Sequence, residues 1–350
     1  MPSQPALPHL LLPYIIPPPH SSLTVLSSVL GATGNWLVLR FLCAALSTSI
    51  TFNATPAQQG VESEGNKKVV LVSFLRGLEF WRAEAKKLGL DLVRLAEKGQ
   101  FVFVDGLSEL FSPSAPATSP IPSRTCLPSR LQPVIPPAGS GLSRQPNHPS
   151  ADINGSYSQT AKETGSVRGL HFSGNGAAAI DALEKNITAA VNLLKASAPG
   201  KGGDGAEILL VVDHPDLLLA ATGLSKGIGA TDMGDWIMGL QKIASATLVT
   251  IAADSPLIHN ASAFAHPHVT PLETEHTAFA IGLAHRAEMI IQLRTLETGA
   301  AKDVSGVLRV SKGSAWGQRE STDAEESWDE KEVLYYVQRN GDVSVFGRGQ

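Results

Sequence analysis

Residues 68–74 form an unbroken apolar run, KVVLVSF, between charged neighbours. Runs of this length suit strands covered on both faces. The pattern recurs at 100–104 (QFVFV), 207–212 (EILLVV) and 246–252 (ATLVTIA). An earlier extended segment, 22–30, is rich in β-branched and aliphatic residues and ends in Gly31-Ala32-Thr33-Gly34. Between these runs the spacing becomes helical. In 77–88, Leu78, Trp81, Ala85 and Leu88 fall on one side. The same reasoning predicts helices over 35–47, 91–98, 177–194, 216–224, 231–245 and 277–283, with Gly99 stopping the second. Strands are expected at 287–296, 306–310 and 333–338, and Asn340-Gly341-Asp342 is a tight-turn signal before a last strand, 343–346. Strand and helix thus alternate first and hairpins come last. The expected class is α/β: a mainly parallel sheet flanked by helices, with C-terminal antiparallel strands.

Two stretches break this alternation. Residues 1–20 carry Pro13 and Pro17–Pro19 and read as an irregular leader. Residues 112–167 are Pro/Ser-rich and nearly free of aromatic residues. Such a segment cannot bury enough apolar surface to offset the entropy of ordering, so a disordered insertion is expected. The folded domain is then read in two parts, 21–111 and 168–348.

Composition narrows the classes. Of 350 residues, 43% are apolar, enough for a sizeable core, and only 17% are charged. The net charge of -4 gives no global pull toward nucleic acid or anionic membrane. Two cysteines, Cys43 and Cys126, make neither a disulfide framework nor a metal cage, and a reducing compartment fits them. No basic n-region precedes the apolar 10–16, which argues against a signal peptide and makes the Asn-x-Ser/Thr triplets chance matches. The apolar 36–52 is short for a spanning helix of ~20 residues and carries Arg40, so it reads as a buried helix of a soluble domain.

Four constellations bear on chemistry. Gly31-Ala32-Thr33-Gly34-Asn35-Trp36 sits where a phosphate loop would, between an extended segment and a helix. A working loop has a Lys and a Ser/Thr after its second glycine, for the phosphates and for magnesium. Here Gly34 is followed by Asn35 and Trp36. One Lys beside a phosphate at ~4 Å contributes about 4 kcal/mol at an effective dielectric of ~20, roughly a thousandfold in affinity. The loop is therefore degenerate, or else an ordinary glycine turn. Asp213 ends an apolar strand, as a magnesium-orienting acid does, although Asp also suits the turn that follows. His259, His266, His268 and His276 crowd one segment, without cysteine support or recognisable ligand spacing, so a flexible polar loop is expected and no metal. Basic residues gather at Lys67, Lys68, Arg82, Lys86, Lys87 and Arg94 among acids, and at Lys226 and Lys242 around a Gly-rich stretch. Lys226, Lys242, His266 and His268 are the candidates for loops facing RNA or a central pore.

Four segments then carry a resemblance: SSLTVLSSVLGATGNWLVLRFL (21–42), KKVVLVSFLRGLEFWRAEAKKLGLDL (67–92), GQFVFVDGLSELF (99–111) and EILLVVDHPDLLLA (207–220). They resemble the family of Elongator complex subunit 6, in a fungal form, over about 10–111 and 168–348. The resemblance implies a RecA-like fold without a working nucleotide motif. It implies assembly with the fourth and fifth Elongator subunits into a heterohexameric ring that joins the catalytic subunits. That ring binds tRNA, hydrolyses ATP in step with tRNA release, and supports modification of the wobble uridine (position 34) at carbon 5. On this reading the chain is not itself an enzyme, takes no cofactor and works in the cytoplasm and also the nucleus. The competing reading is an active phosphate-loop NTPase or recombinase-like enzyme with an atypical loop. It needs a substitute cation, and Arg40, over a helical turn beyond Gly34, is expected to point away. A secreted or membrane protein is a third reading.

Overall fold

The computed structural model describes residues 7–15, 21–46, 67–112, 167–196, 207–222, 224–258, 270–299, 301–317 and 328–347. In chain order they contain α1 (Leu12–Ile15), β1 (Ser22–Ser28), α2 (Asn35–Leu46), β2 (Lys68–Ser73), α3 (Leu78–Lys87), α4 (Leu92–Glu97), β3 (Phe101–Asp105), β4 (Val167–Gly169), α5 (Gly176–Ala196), β5 (Ile208–Asp213), α6 (Leu217–Thr222), α7 (Ala230–Ile243), β6 (Ala246–Ala252), α8 (Ser255–Ile258), α9 (Pro271–Arg286), β7 (Met289–Arg294), β8 (Gly306–Lys312), β9 (Lys331–Val337) and β10 (Val343–Phe346). The fold is α/β, with one mostly parallel central sheet, helices flanking it and antiparallel strands at its C-terminal end.

The strand order is β10-β9-β8-β7-β1-β6-β5-β2-β3-β4. The strands from β7 to β4 run parallel, and β8, β9 and β10 add antiparallel pairs. The apolar runs behave as their patterning demands. In β2, Val69 and Leu71 enter one core, and Val70 and Val72 the other. β5 divides in the same way. α1 and α2 share the first core with Trp81 and Ala85 of α3, while α5, α7 and α9 supply the second. A strand buried on both faces has no polar face to present, which is why these runs are continuous.

Four places differ from the sequence expectation. Within the leader, a 3-10 turn at His9–Leu11 leads into α1, and Leu11, Tyr14 and Ile15 are buried. Their i, i+3, i+4 spacing is a helical stripe, and Pro13 sits in a first turn whose N–H groups have no intrahelical partner anyway. Tyr14 donates to the Asp329 carbonyl at 2.8 Å, fastening this segment beside β9. β4, only three residues long, pairs with β3 at the end of the Pro/Ser-rich stretch. The rest of that stretch, 113–166, lies outside the described residues, so the expectation of disorder falls outside them too. α8 occupies part of the expected loop. α9 starts six residues before the expected 277, because Thr270 and Glu273 form a capping box with Pro271 in the first turn.

Candidate functional site

The register lays one row of residues across the C-terminal half of the sheet. Leu26 of β1 lies beside Thr250 of β6, Thr250 beside Asp213 of β5, Asp213 beside Ser73 of β2, and Ser73 beside Asp105 of β3. The glycine turn and the acid strand are therefore not neighbours: β6 separates them. Two steps of ~4.8 Å put their row positions about 10 Å apart.

The turn after β1 is tight. The Ala32 amide donates to the Val29 carbonyl at 2.9 Å, and these two residues form an antiparallel bridge. Both glycines have a packing reason. A Cβ on Gly31 would lie 2.8 Å from Thr295 Cγ2, and one on Gly34 would lie 3.1 Å from Leu26 Cδ2. Asn35 opens α2, and its Oδ1 accepts from Thr33 Oγ1 at 2.8 Å. Trp36 is buried against Tyr335, ring centres 5.0 Å apart. It lines a cleft of about 220 Å³ with Thr33, Asn35, Tyr335 and Arg339. Burial pushes the Tyr335 hydroxyl up to about 12, against a small opposing effect of the Trp36 indole. The Leu30 amide, at the tip, donates to Asp254 Oδ1 at 3.0 Å. A carboxylate of the chain thus meets a turn amide that an anion would otherwise reach.

Asp213 is 1% exposed and its oxygens are engaged. Oδ1 accepts from Thr250 Oγ1 at 2.9 Å and Oδ2 from Ser73 Oγ at 2.8 Å. Arg76 Nη1 reaches both oxygens, at 3.2 and 3.3 Å. The guanidinium lies 5.3 Å from the Phe80 ring centre and 5.9 Å from that of Trp81. Arg76 was not among the sequence candidates. The available signal was the Ser-x-x-Arg spacing at the end of an apolar strand, which lets Ser73 Oγ accept the Arg76 amide at 3.0 Å.

A second acid lies one turn on. Asp216 Oδ2 accepts from the Ala252 amide at 3.1 Å and faces His276 Nε2 at 3.2 Å. Asp216 Oδ1 is 3.4 Å from His214 Nδ1, close enough for an ion pair but long for a hydrogen bond. His276 Nδ1 donates to the Leu257 carbonyl at 3.2 Å. Burial alone would raise the Asp216 carboxyl, but the nearby His214 ring, the His276 contact and the Ala252 amide outweigh that and hold it at about 2. His276, assigned from sequence to a flexible polar loop, is instead 2% exposed in α9. His259, His266 and His268 lie outside the described residues.

The remaining candidates separate. Lys226 is exposed just before α7, and Lys242 is exposed in its last turn. A helix of 14 residues spans ~21 Å, so the two lysines stand at opposite ends of it and share no surface. Lys68 is buried, its Nζ donating to the Leu194 carbonyl at 2.6 Å. Arg82 and Lys87 pair with Glu79 and Glu84 on a solvated mixed face. Arg40 is buried and donates to the Gly341 carbonyl at 2.7 Å. Among the described residues no group of three or more His, Cys, Asp or Glu is placed to hold a metal ion, and no helix is long and apolar enough to cross a membrane.

The residues present do not fit a magnesium nucleotide. The turn offers neither ammonium nor hydroxyl at the two positions after Gly34, and the acid is already neutralised. No protein-family model matches the chain, and no curated protein matches it.

Proposed function

We propose that this chain is a non-catalytic, RecA-like ring subunit of the Elongator type. It would assemble with the fourth and fifth Elongator subunits into a heterohexamer that binds tRNA and supports wobble-uridine modification. The observation that carries the non-catalytic half is Asp213: both carboxylate oxygens are bonded within the chain, with Arg76 as counter-ion. An acid so engaged has no oxygen left to orient a metal. The closed turn and its Asp254 contact support the same half. The parallel sheet, with the glycine turn and the acid at the C-terminal ends of the central strands β1 and β5, supports the RecA-like assignment. The four sequence segments carry the Elongator assignment, together with the cytoplasmic and nuclear location and the tRNA partner that follow from it.

Co-expression with the fourth and fifth subunits tests the proposal. A stable three-protein assembly with the mass of a hexamer is expected, and an isolated chain that turns over no ATP. A soluble monomer that hydrolyses ATP would overturn it, as would failure of this chain to join the two partners.

A further inference from the structure

The carboxylate at the end of the acid strand has no open place on it. Ser73 and Thr250 direct their hydroxyl hydrogens at Asp213, at 2.8 and 2.9 Å. Each hydroxyl also accepts one amide hydrogen, which leaves one lone pair on each. Ser73 Oγ accepts from the Arg76 amide at 3.0 Å, and Thr250 Oγ1 from the His214 amide at 2.9 Å. One carboxylate and two hydroxyls on three adjacent strands are hard-oxygen ligands of the kind that suit magnesium or manganese. Arg76 Nη1 spans both carboxylate oxygens where such an ion would lie. Two aromatic rings flank the guanidinium. At the glycine turn, Asp254 supplies a negative charge to the Leu30 amide in the same internal way.

We infer that Arg76 is a built-in replacement for a bound divalent cation. Its guanidinium closes the Asp213–Ser73–Thr250 cluster, so this end of the sheet keeps its conformation with neither metal nor nucleotide. Removing the guanidinium alone leaves a buried carboxylate without a counter-ion, which is strongly unfavourable. It also uncovers a latent cation site. The inference deepens the non-catalytic reading and rests on it for the meaning of the site, while its test rests on the cluster alone.

The test uses the full-length chain, manganese chloride as probe, thermal melting, and electron paramagnetic resonance of free manganese. For the native chain, millimolar manganese leaves the melting temperature unchanged and no ion binds. Arg76→Ala melts lower, binds one manganese, and regains ~2–4 °C as the metal saturates it. Arg76→Ala with Asp213→Asn melts above the single variant without metal and ignores manganese. If Arg76→Ala does not fold, recovery of folding in the double variant supports the inference, and failure of both overturns it. A native chain that binds manganese through Asp213, or an Arg76→Ala chain indifferent to the metal, overturns it too. Neither result touches co-assembly with the Elongator subunits, and failure to co-assemble leaves the manganese results standing.

Discussion

Asp216 shows how a single carboxylate links pH to stability. Its folded value of about 2 lies below the ordinary 3.8. A lowered value means that the charged form is favoured in the folded state. The contribution is complete above about pH 4 and is lost as pH falls toward 2. Urea unfolding of the native chain and of Asp216→Asn should therefore differ most at pH 6, and the gap should narrow between pH 4 and pH 2. Cys43 gives a second residue-scale expectation. Burial pushes its thiol up to about 11, with Arg40 drawing it partly back. In a Cys126→Ser chain, thiol reagents at pH 7 should label Cys43 only after denaturation. A third concerns the glycine turn. Asn35→Lys restores the missing ammonium, but Trp36 still fills the next position against Tyr335. No ATP turnover is expected in a phosphate-release assay, and strong turnover would show the loop alignment to be wrong.

At the scale of elements, caps and close contacts set the boundaries. Thr270 Oγ1 accepts the Glu273 amide at 3.3 Å, and the Glu273 carboxylate accepts the Thr270 amide at 2.8 Å. Thr270→Ala should cost about 1 kcal/mol in chemical denaturation. Gly106 is tighter: a Cβ there would lie 2.7 Å from Phe74 Cδ1, so Gly106→Ala should cost about 1–3 kcal/mol. The buried strands were legible because burial on both faces writes itself as a continuous apolar run, as in 68–74. α9 was legible only in part. Its Thr-Pro-x-Glu start is a local signal, but the histidines beside it made a polar loop look the better reading. The places of Asn35 and Trp36 at a helix start and of Asp213 at a strand end were legible from local chemistry. The site was illegible where partners come from distant strands. Nothing local in His276 announces Asp216, which is 60 residues earlier in the chain. Arg76 needs the β2–β5 pairing before it meets Asp213.

At the scale of the whole molecule, β4 fixes where the long insertion begins and ends. The Leu170 amide donates to the Asp105 carbonyl at 2.8 Å and the Phe172 amide to the Leu110 carbonyl at 2.6 Å. Both sides of the junction are thus anchored on β3 and its following loop. A parallel return needs about a dozen residues, so replacing 113–165 by a Gly/Ser linker of about six should leave the melting temperature and co-assembly unchanged. Loss of assembly would show that the insertion holds a partner. The Arg76–Asp213 pair has a consequence on a longer timescale. Two residues that answer each other's charge at the end of the sheet do not drift independently, since Asp213 left alone is a buried ion. Descendants of this sequence that lose the arginine should carry a neutral residue, asparagine or serine, in place of the aspartate. The two positions would then change together across a lineage, while the glycine turn, a strand removed from them, varies on its own.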